Sequence, residues 1–328
     1  MGKTLCLVCI LFTSLYGFSQ DDLLQSLGGD TVRKEYVTSA FKSSRVINGH
    51  SMEFIGKGVL DFRILHRFGP VNQGVKEFFG LDDASMRMGF DYGLTKNLTI
   101  GVGRTTLRKE LDGFVKYRPV HQSVGPGASP VSVVLVAGMA VITQENDDPA
   151  KDVTFSSRVG YYYQAIIGRK FTQRFTLQLS PTVVHRNEVF LNDDNDTYAL
   201  GIGSRLKLSK RVAFVVDYFY VFNGLPKEQN YNPLSLGFDI ETGGHVFQLH
   251  FSNASGMNER AFITETFNDW GKGDIQFGFN LSRVFTIGKK NKQKNSLATR
   301  KTVNELKKEK KPVSVVPSVL LLCGLFLE

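Results

Sequence analysis

The strongest constraint on this chain is an alternation of apolar and polar residues with a period of two. In residues 85–94, Met86, Met88, Phe90, Tyr92 and Leu94 are apolar, and Ser85, Arg87, Gly89, Asp91 and Gly93 between them are small or polar. Successive side chains of a strand point to opposite faces, so the segment predicts a strand with one apolar face. The pattern recurs at 98–103, 174–180, 197–205, 234–241 and 274–281. Extended along the chain it predicts about twelve strands: 58–68, 85–94, 98–106, 112–119, 131–142, 153–168, 174–186, 197–208, 211–222, 233–241, 245–253 and 274–287. Most are longer than the roughly 5–6 residues usual in soluble sheets. Crossing a bilayer takes about 9–11 tilted residues.

The connections sharpen this reading. Tight links at 95–97, 169–173, 209–210 and 242–244 alternate with long ones at 69–84, 143–152, 187–196, 223–232 and 254–273. An outer-membrane barrel with both termini in the periplasm is wired this way. Two links depart from the rule. Residues 107–111 are short where a long loop is expected, and 120–130, with Pro126 and Pro130, are long where a turn is expected. A secreted β-sandwich or lipocalin-like barrel also alternates, but its polar face meets water. Here bulky aromatics recur on the apolar face, and the chain carries 26 Phe. A face of that kind suits burial in lipid.

A hydrophobic content of 42% excludes a disordered chain. No apolar stretch is long enough for a transmembrane helix, and three cysteines exclude a disulfide-built scaffold. The net charge of +9 is uneven: residues 288–328 hold ten Lys/Arg against three acids. The basicity therefore belongs to a tail, and no nucleic-acid partner is inferred. Lys3, the apolar run 5–12 and the small residues Gly17 and Ser19 before Gln20 read as a signal peptide over 1–19. Cys6 and Cys9 fall inside it, which leaves Cys323 alone in the mature chain. The expected layout is a signal peptide at 1–19, an N-terminal periplasmic or plug segment at 20–57, a barrel at 58–287 and a basic, disordered tail at 288–328.

Several stretches resemble an uncharacterised β-barrel family of Bacteroidota outer membranes, a domain of unknown function. They are residues 40–50 (AFKSSRVINGH), 58–69 (GVLDFRILHRFG), 111–117 (LDGFVKY), 243–251 (GGHVFQLHF) and 277–285 (FGFNLSRVF). The resemblance covers roughly residues 36–287. It implies an all-β transmembrane antiparallel barrel in the cell outer membrane and supplies no activity. Members of that family end near the position of Ile287, so residues 288–328 lie beyond the pattern. A final strand with alternating aromatics, here Phe277, Phe279, Leu281, Phe285 and Ile287, suits recognition by the barrel assembly machinery. Arg283 interrupts that face and is expected to snorkel at a membrane edge.

Strand parity assigns an inward face. It carries Asp61, Arg63, Arg67, Arg87, Asp91, Asp112, Lys116, Arg118, Arg158, Arg174, Arg205, Lys207, Asp217, Asp239, Glu241 and Asp274, with Gln248 and His250. One reading is a weakly cation-lined channel for small anionic solutes. The other is a cross-barrel ion-pair network that fills the interior, with residues 21–57, including Leu23, Leu24, Leu27 and His50, folded in as a plug.

The sharpest enzymatic pattern is His250-Phe251-Ser252-Asn253. It is similar to the His-x-Ser-Asn element of outer-membrane phospholipases and lipid A deacylases. By that resemblance Ser252 is the nucleophile and His250 the base. Parity opposes it, because Phe247, Leu249 and Phe251 form the apolar face and direct His250 and Ser252 inward, away from lipid. Asn192-Asp193-Asp194-Asn195-Asp196 lacks the glycine and final Glu of a calcium loop and reads as solvated acid. His66 lacks the companions of a metal site. The basic tail offers contact with anionic lipid or cell wall, or is a disordered extension.

The sequence thus predicts an outer-membrane barrel of porin-like type, passing a small solute passively or through a gate, or serving a structural envelope role. The alternative is a barrel hydrolase using Ser252 and His250. No enzyme activity, cofactor or metal is implied. The expected partners are outer-membrane lipid, the assembly machinery and a possible small solute.

Overall fold

A computed structural model describes residues 33–145, 154–189, 193–224, 229–242 and 245–287. The expected signal peptide, the start of the expected plug segment and the expected tail 288–328 lie outside the described residues.

Twelve strands form one closed antiparallel barrel. They are β1 (Val59–Pro70), β2 (Ala84–Gly93), β3 (Leu98–Thr105), β4 (Leu111–Val120), β5 (Ser132–Val141), β6 (Val159–Lys170), β7 (Phe175–Arg186), β8 (Asp196–Lys207), β9 (Val212–Val221), β10 (Leu234–Thr242), β11 (His245–Ser252) and β12 (Gln276–Thr286). Each pairs with its neighbour in sequence, and β12 closes onto β1 with Phe279 opposite His66 and Leu281 opposite Ile64. Closure leaves no strand edge unpaired, which a lipid environment requires. Alternation sets the faces. Along β1, Asp61, Arg63, Leu65 and Arg67 are buried inside, while Phe62, Ile64, His66 and Phe68 face out.

The alternation rule places the strands well, with one clear miss. The segment predicted over 153–168 begins only at Val159, because Ser156–Arg158 turns in a 3-10 helix. Arg158 therefore sits half-buried before the strand and not on the inward face of one. Arg174 is exposed in the turn after β6, and Lys207, Glu241 and Asp274 are only half-buried at the barrel ends.

The link at 120–130 is long because it has a second task. Ser123–Val124 forms a small antiparallel sheet with Glu35–Tyr36, and Val37 N–H donates to Gln122 O at 2.9 Å. The turn is a clasp for the incoming N-terminal segment at the end of the barrel where β1 begins and β12 stops. The short link at 106–110 contributes Glu110 to the opposite end, where it is buried.

Candidate functional site

The interior is filled from both ends. From the end where the clasp lies, residues 38–56 run into the barrel and bury Ala40, Phe41, Arg45, Val46, Ile47, Asn48, His50 and Met52. From the other end, the connection between β11 and β12 folds inward. It carries α1 (Glu259–Thr264), all six of whose residues are buried. Asn258 caps α1 by accepting from Ala261 N–H at 2.9 Å, as a side-chain oxygen at that position does.

The wall holds the N-terminal piece through its polar inward side chains. Asp217 Oδ2 accepts three consecutive backbone N–H groups, from Ile47 (3.2 Å), Asn48 (2.8 Å) and Gly49 (2.9 Å). Successive N–H groups converging on one oxygen form an anion-holding nest. Gly49 has to be glycine, since a Cβ there would lie 2.9 Å from Phe219 Cζ. Gln178 donates to His50 O at 2.7 Å and accepts from Met52 N–H at 2.9 Å. Asn280 donates to Ile47 O at 3.0 Å, and Gln248 donates to Val46 O and to Asp239 Oδ1. Arg67 donates to Asn48 Oδ1. Arg63 donates to Ser43 Oγ at 2.8 Å and pairs with Asp61 at 2.6 Å. Ser44 Oγ donates to Asp91. Lys116 Nζ reaches Glu53 O at 2.7 Å. Arg87 and Asp112 form a two-pronged pair within the wall, and Gly103 leaves the room that Arg87 occupies.

Other predicted inward residues serve the ends or stay open. Arg118 bonds Lys96 O and Asn97 at the turn after β2 and covers the Phe54 ring at 4.5 Å. Arg205 is buried, and its Nε has no hydrogen-bond partner.

One side of the interior is apolar. Val134, Val136, Tyr162, Ile166, Val184, Ala199 and Phe219 point inward and pack with Phe41, Val46, Met52, Phe262 and Ile263. Phe219 meets Phe262 edge-on at 5.0 Å. Burying Phe262 and Ile263 contributes about 1.5–3 kcal/mol each to docking. The plug is thus amphipathic, with one side bonded to a charged wall and the other pressed on an apolar one.

The two pieces meet at the centre. Arg45 Nη1 donates to Glu259 Oε1 at 2.9 Å, and His50 Nε2 lies 3.4 Å from the same oxygen. Burial first, and the Arg45 guanidinium second, hold the His50 imidazole well below its ordinary range, so it stays neutral there. Around this seam Arg45 Nε and Nη2, Glu259 Oε2 and His50 Nδ1 are buried with no hydrogen-bond partner. The outer part of the loop is pinned separately. Arg260 bonds Glu110 and Glu265, Arg108 pairs with Glu265 at 2.6 Å, and Asn258 donates to Glu110 at 2.7 Å.

The hydrolase pair is not assembled. His250 and Ser252 are both buried inside. Ser252 Oγ accepts from Ser235 Oγ at 2.7 Å and from Ala254 N–H at 3.0 Å, and neither ring nitrogen of His250 bonds to it. Asp193 pairs with Arg186 and Asp194 accepts from Asn223. Asn192 lies outside the described residues. His66 faces outward and stacks on Phe279 at 4.7 Å. Among the described residues no group of His, Cys, Asp and Glu is arranged to hold a metal.

Sequence reading missed Glu110, Glu259, Arg260 and Glu265. A signal existed: Ala261-Phe262-Ile263 is an apolar run inside a supposed outer loop, starting three residues after a capping Asn258.

Comparison with known proteins gives one family. The model described as "Membrane bound beta barrel domain (DUF5777)" matches residues 41–285. No curated protein matches the chain. Among solved structures it is similar to the NanC porin, at 8% identity over 69% of this chain and 98% of that one, with a TM-score of 0.43. The KdgM porin is 8% identical over 70% and 99%, with a TM-score of 0.40. The COG4313 outer membrane channel from Pseudomonas putida F1 is 12% identical over 71% and 97%, with a TM-score of 0.42.

Proposed function

The chain belongs to the family of membrane-bound β-barrel domains matched over residues 41–285, and from that premise we propose that it is an outer-membrane barrel, closed at rest, that passes a small solute only when its internal plug shifts. The observation that carries this reading is the seam at Arg45 and Glu259, where two pieces entering from opposite ends block the lumen between them. The hydrogen bonds that hold the N-terminal piece to the wall run largely to its backbone, at Val46, Ile47, Asn48, Gly49, His50 and Met52, whereas Arg45 and His50 meet Glu259 through side chains alone. A junction of that kind is weaker than the docked surfaces on either side of it, so the lumen opens there first. The charged wall of β1–β4 then lines the path.

The experiment is conductance of purified full-length protein in a planar bilayer. Wild type should be closed for most of the record, with brief openings. Glu259→Gln and Arg45→Ala should open more often. A steady, large wild-type conductance would overturn the closed state. Silence in wild type and both variants would favour the structural envelope role.

A further inference from the structure

Among the described residues, Arg205 is the buried cation whose side chain donates no hydrogen bond and joins no ion pair. It is 4% exposed and points inward from β8, two residues before Lys207 at the end where the tight turns lie. Register fixes its neighbours. Arg205 lies opposite Thr176 on β7, and Thr176 lies opposite Lys170 on β6. On the other side, Arg205 lies opposite Val215 and Lys207 opposite Ala213, both on β9. Val215 and Ala213 are buried, and their side chains bring no acceptor.

Three carboxylates stand near enough to act on Arg205, namely Asp239, Glu241 and Glu53, and each is bonded elsewhere. Asp239 accepts from Gln248 at 2.7 Å, Glu241 pairs with Lys42 at 2.7 Å, and Glu53 accepts from Ala40 N–H at 2.8 Å. The N-terminal piece crosses the same mouth without meeting the guanidinium. It is anchored on β6 and β7, where Lys170 Nζ donates to Thr38 O and Thr176 Oγ1 to Ala40 O, each at 2.9 Å. Its next anchor is the Lys42–Glu241 pair on β10. Arg205 and Lys207 lie between these anchors, on β8, and their side chains take no part in them.

We propose that Arg205, with Lys207 and Lys170 beside it, binds the oxyanion of a small water-borne solute, a carboxylate or a phosphate, at the turn end of the lumen. This names the solute class of the gated barrel and rests on that reading for the solute's passage, though not for its binding. Water satisfies the donors of a guanidinium but does not cancel its charge, and burying a charge is costly without a counter-charge. The guanidinium fork matches two oxygens of one anion, and the two ammonium groups add point charges. Positions two apart on a strand are separated by about 7 Å, and alternate strands by about 10 Å, so three long side chains can converge on one small anion. The wall decides the source. Leu206 and Leu208 carry the outward face of the same stretch and are exposed to lipid, so headgroups meet the other side of β8. The crossing of residues 38–42 at this mouth keeps the ligand small.

Ligand NMR on the full-length protein in dodecyl maltoside, a neutral detergent, tests this with two probes: the phosphorus linewidth of inorganic phosphate and saturation transfer to succinate. Wild type should bind at least one probe saturably, and the tighter of the two separates a phosphate-bearing from a carboxylate-bearing solute. Arg205→Gln should weaken that binding about tenfold or more, and Lys207→Gln about threefold. Arg205→Lys keeps the charge, loses the fork and should fall between wild type and Arg205→Gln. Lys96→Gln removes an exposed charge from another turn at the same end and should bind as wild type does. Heat-modifiable gel mobility identifies which variants are folded, and Arg205→Lys with Lys207→Gln decide if Arg205→Gln is not. A wild type that binds neither probe saturably overturns the proposal. So does equal binding by wild type and the folded Arg205 variants, or a loss in Lys96→Gln as large as theirs. Neither probe needs an open lumen, so absence of binding and absence of conductance are separate failures.

Discussion

Arg45 and Glu259 stand 214 residues apart in sequence and 2.9 Å apart at the centre of the barrel, with side chains 1% and 0% exposed. Desolvating two charges is costly, and their attraction offsets the cost only while both are present. Arg45→Ala or Glu259→Leu alone should therefore destabilise the folded barrel by about 3–5 kcal/mol. The double variant Arg45→Met with Glu259→Leu should lose less than either single change. Urea titration followed by heat-modifiable mobility in detergent measures all three. A double variant at least as unstable as the sum of the singles would show that the pair is not coupled.

Gly49 lets the plug backbone approach both Asp217 and Phe219. A side chain there pushes the three N–H groups off the Asp217 carboxylate, so Gly49→Val should release the N-terminal piece while the strands remain paired. Limited proteolysis is expected to cut residues 38–56 in the variant and spare them in wild type. Equal protection in both would mean that the nest does not hold the plug.

The outer loop should tolerate acid. Burial pushes the Glu265 carboxyl up, but the guanidiniums of Arg260 and Arg108 outweigh it and hold the group at about 2, against an ordinary 4.5. A carboxyl with a depressed folded value adds stability that is complete above the unfolded value and lost as pH falls through the folded one. Protection of residues 258–266 should therefore hold from pH 7 to about pH 5, weaken below that and vanish near pH 2. Glu265→Gln should lower it at every pH. Loss of protection in wild type between pH 6 and 5 would contradict this assignment.

Cysteine labelling separates the faces and the states. In a Cys323→Ser background, Ser252→Cys should resist a water-soluble maleimide, because Ser252 is fully buried inside a filled barrel. Leu249→Cys and Phe251→Cys should resist it because they face lipid. Adding Glu259→Gln should expose the cysteine at 252 alone. Rapid labelling at 252 with an intact plug would place open water at that point.

Twelve strands, their faces and their order were legible in the sequence, because a two-residue period is a local property that closure of a barrel preserves. The apolar row at Phe247, Leu249 and Phe251 announced its direction in the same way. The period says which side chains share a face, but not what that face touches. Val134, Val136 and Ile166 look like lipid-facing residues by composition, yet the structure turns them inward against Phe41 and Phe262. Arg158 shows the local limit: alternation continues through a turn that breaks the strand. The filled lumen was beyond sequence reading for a different reason. Asp217 meets Ile47, and Arg45 meets Glu259, only after the chain has closed on itself, so no spacing between those residues encodes the contact. Their energies come from burial and pairing inside the barrel, and that environment exists only in the tertiary structure.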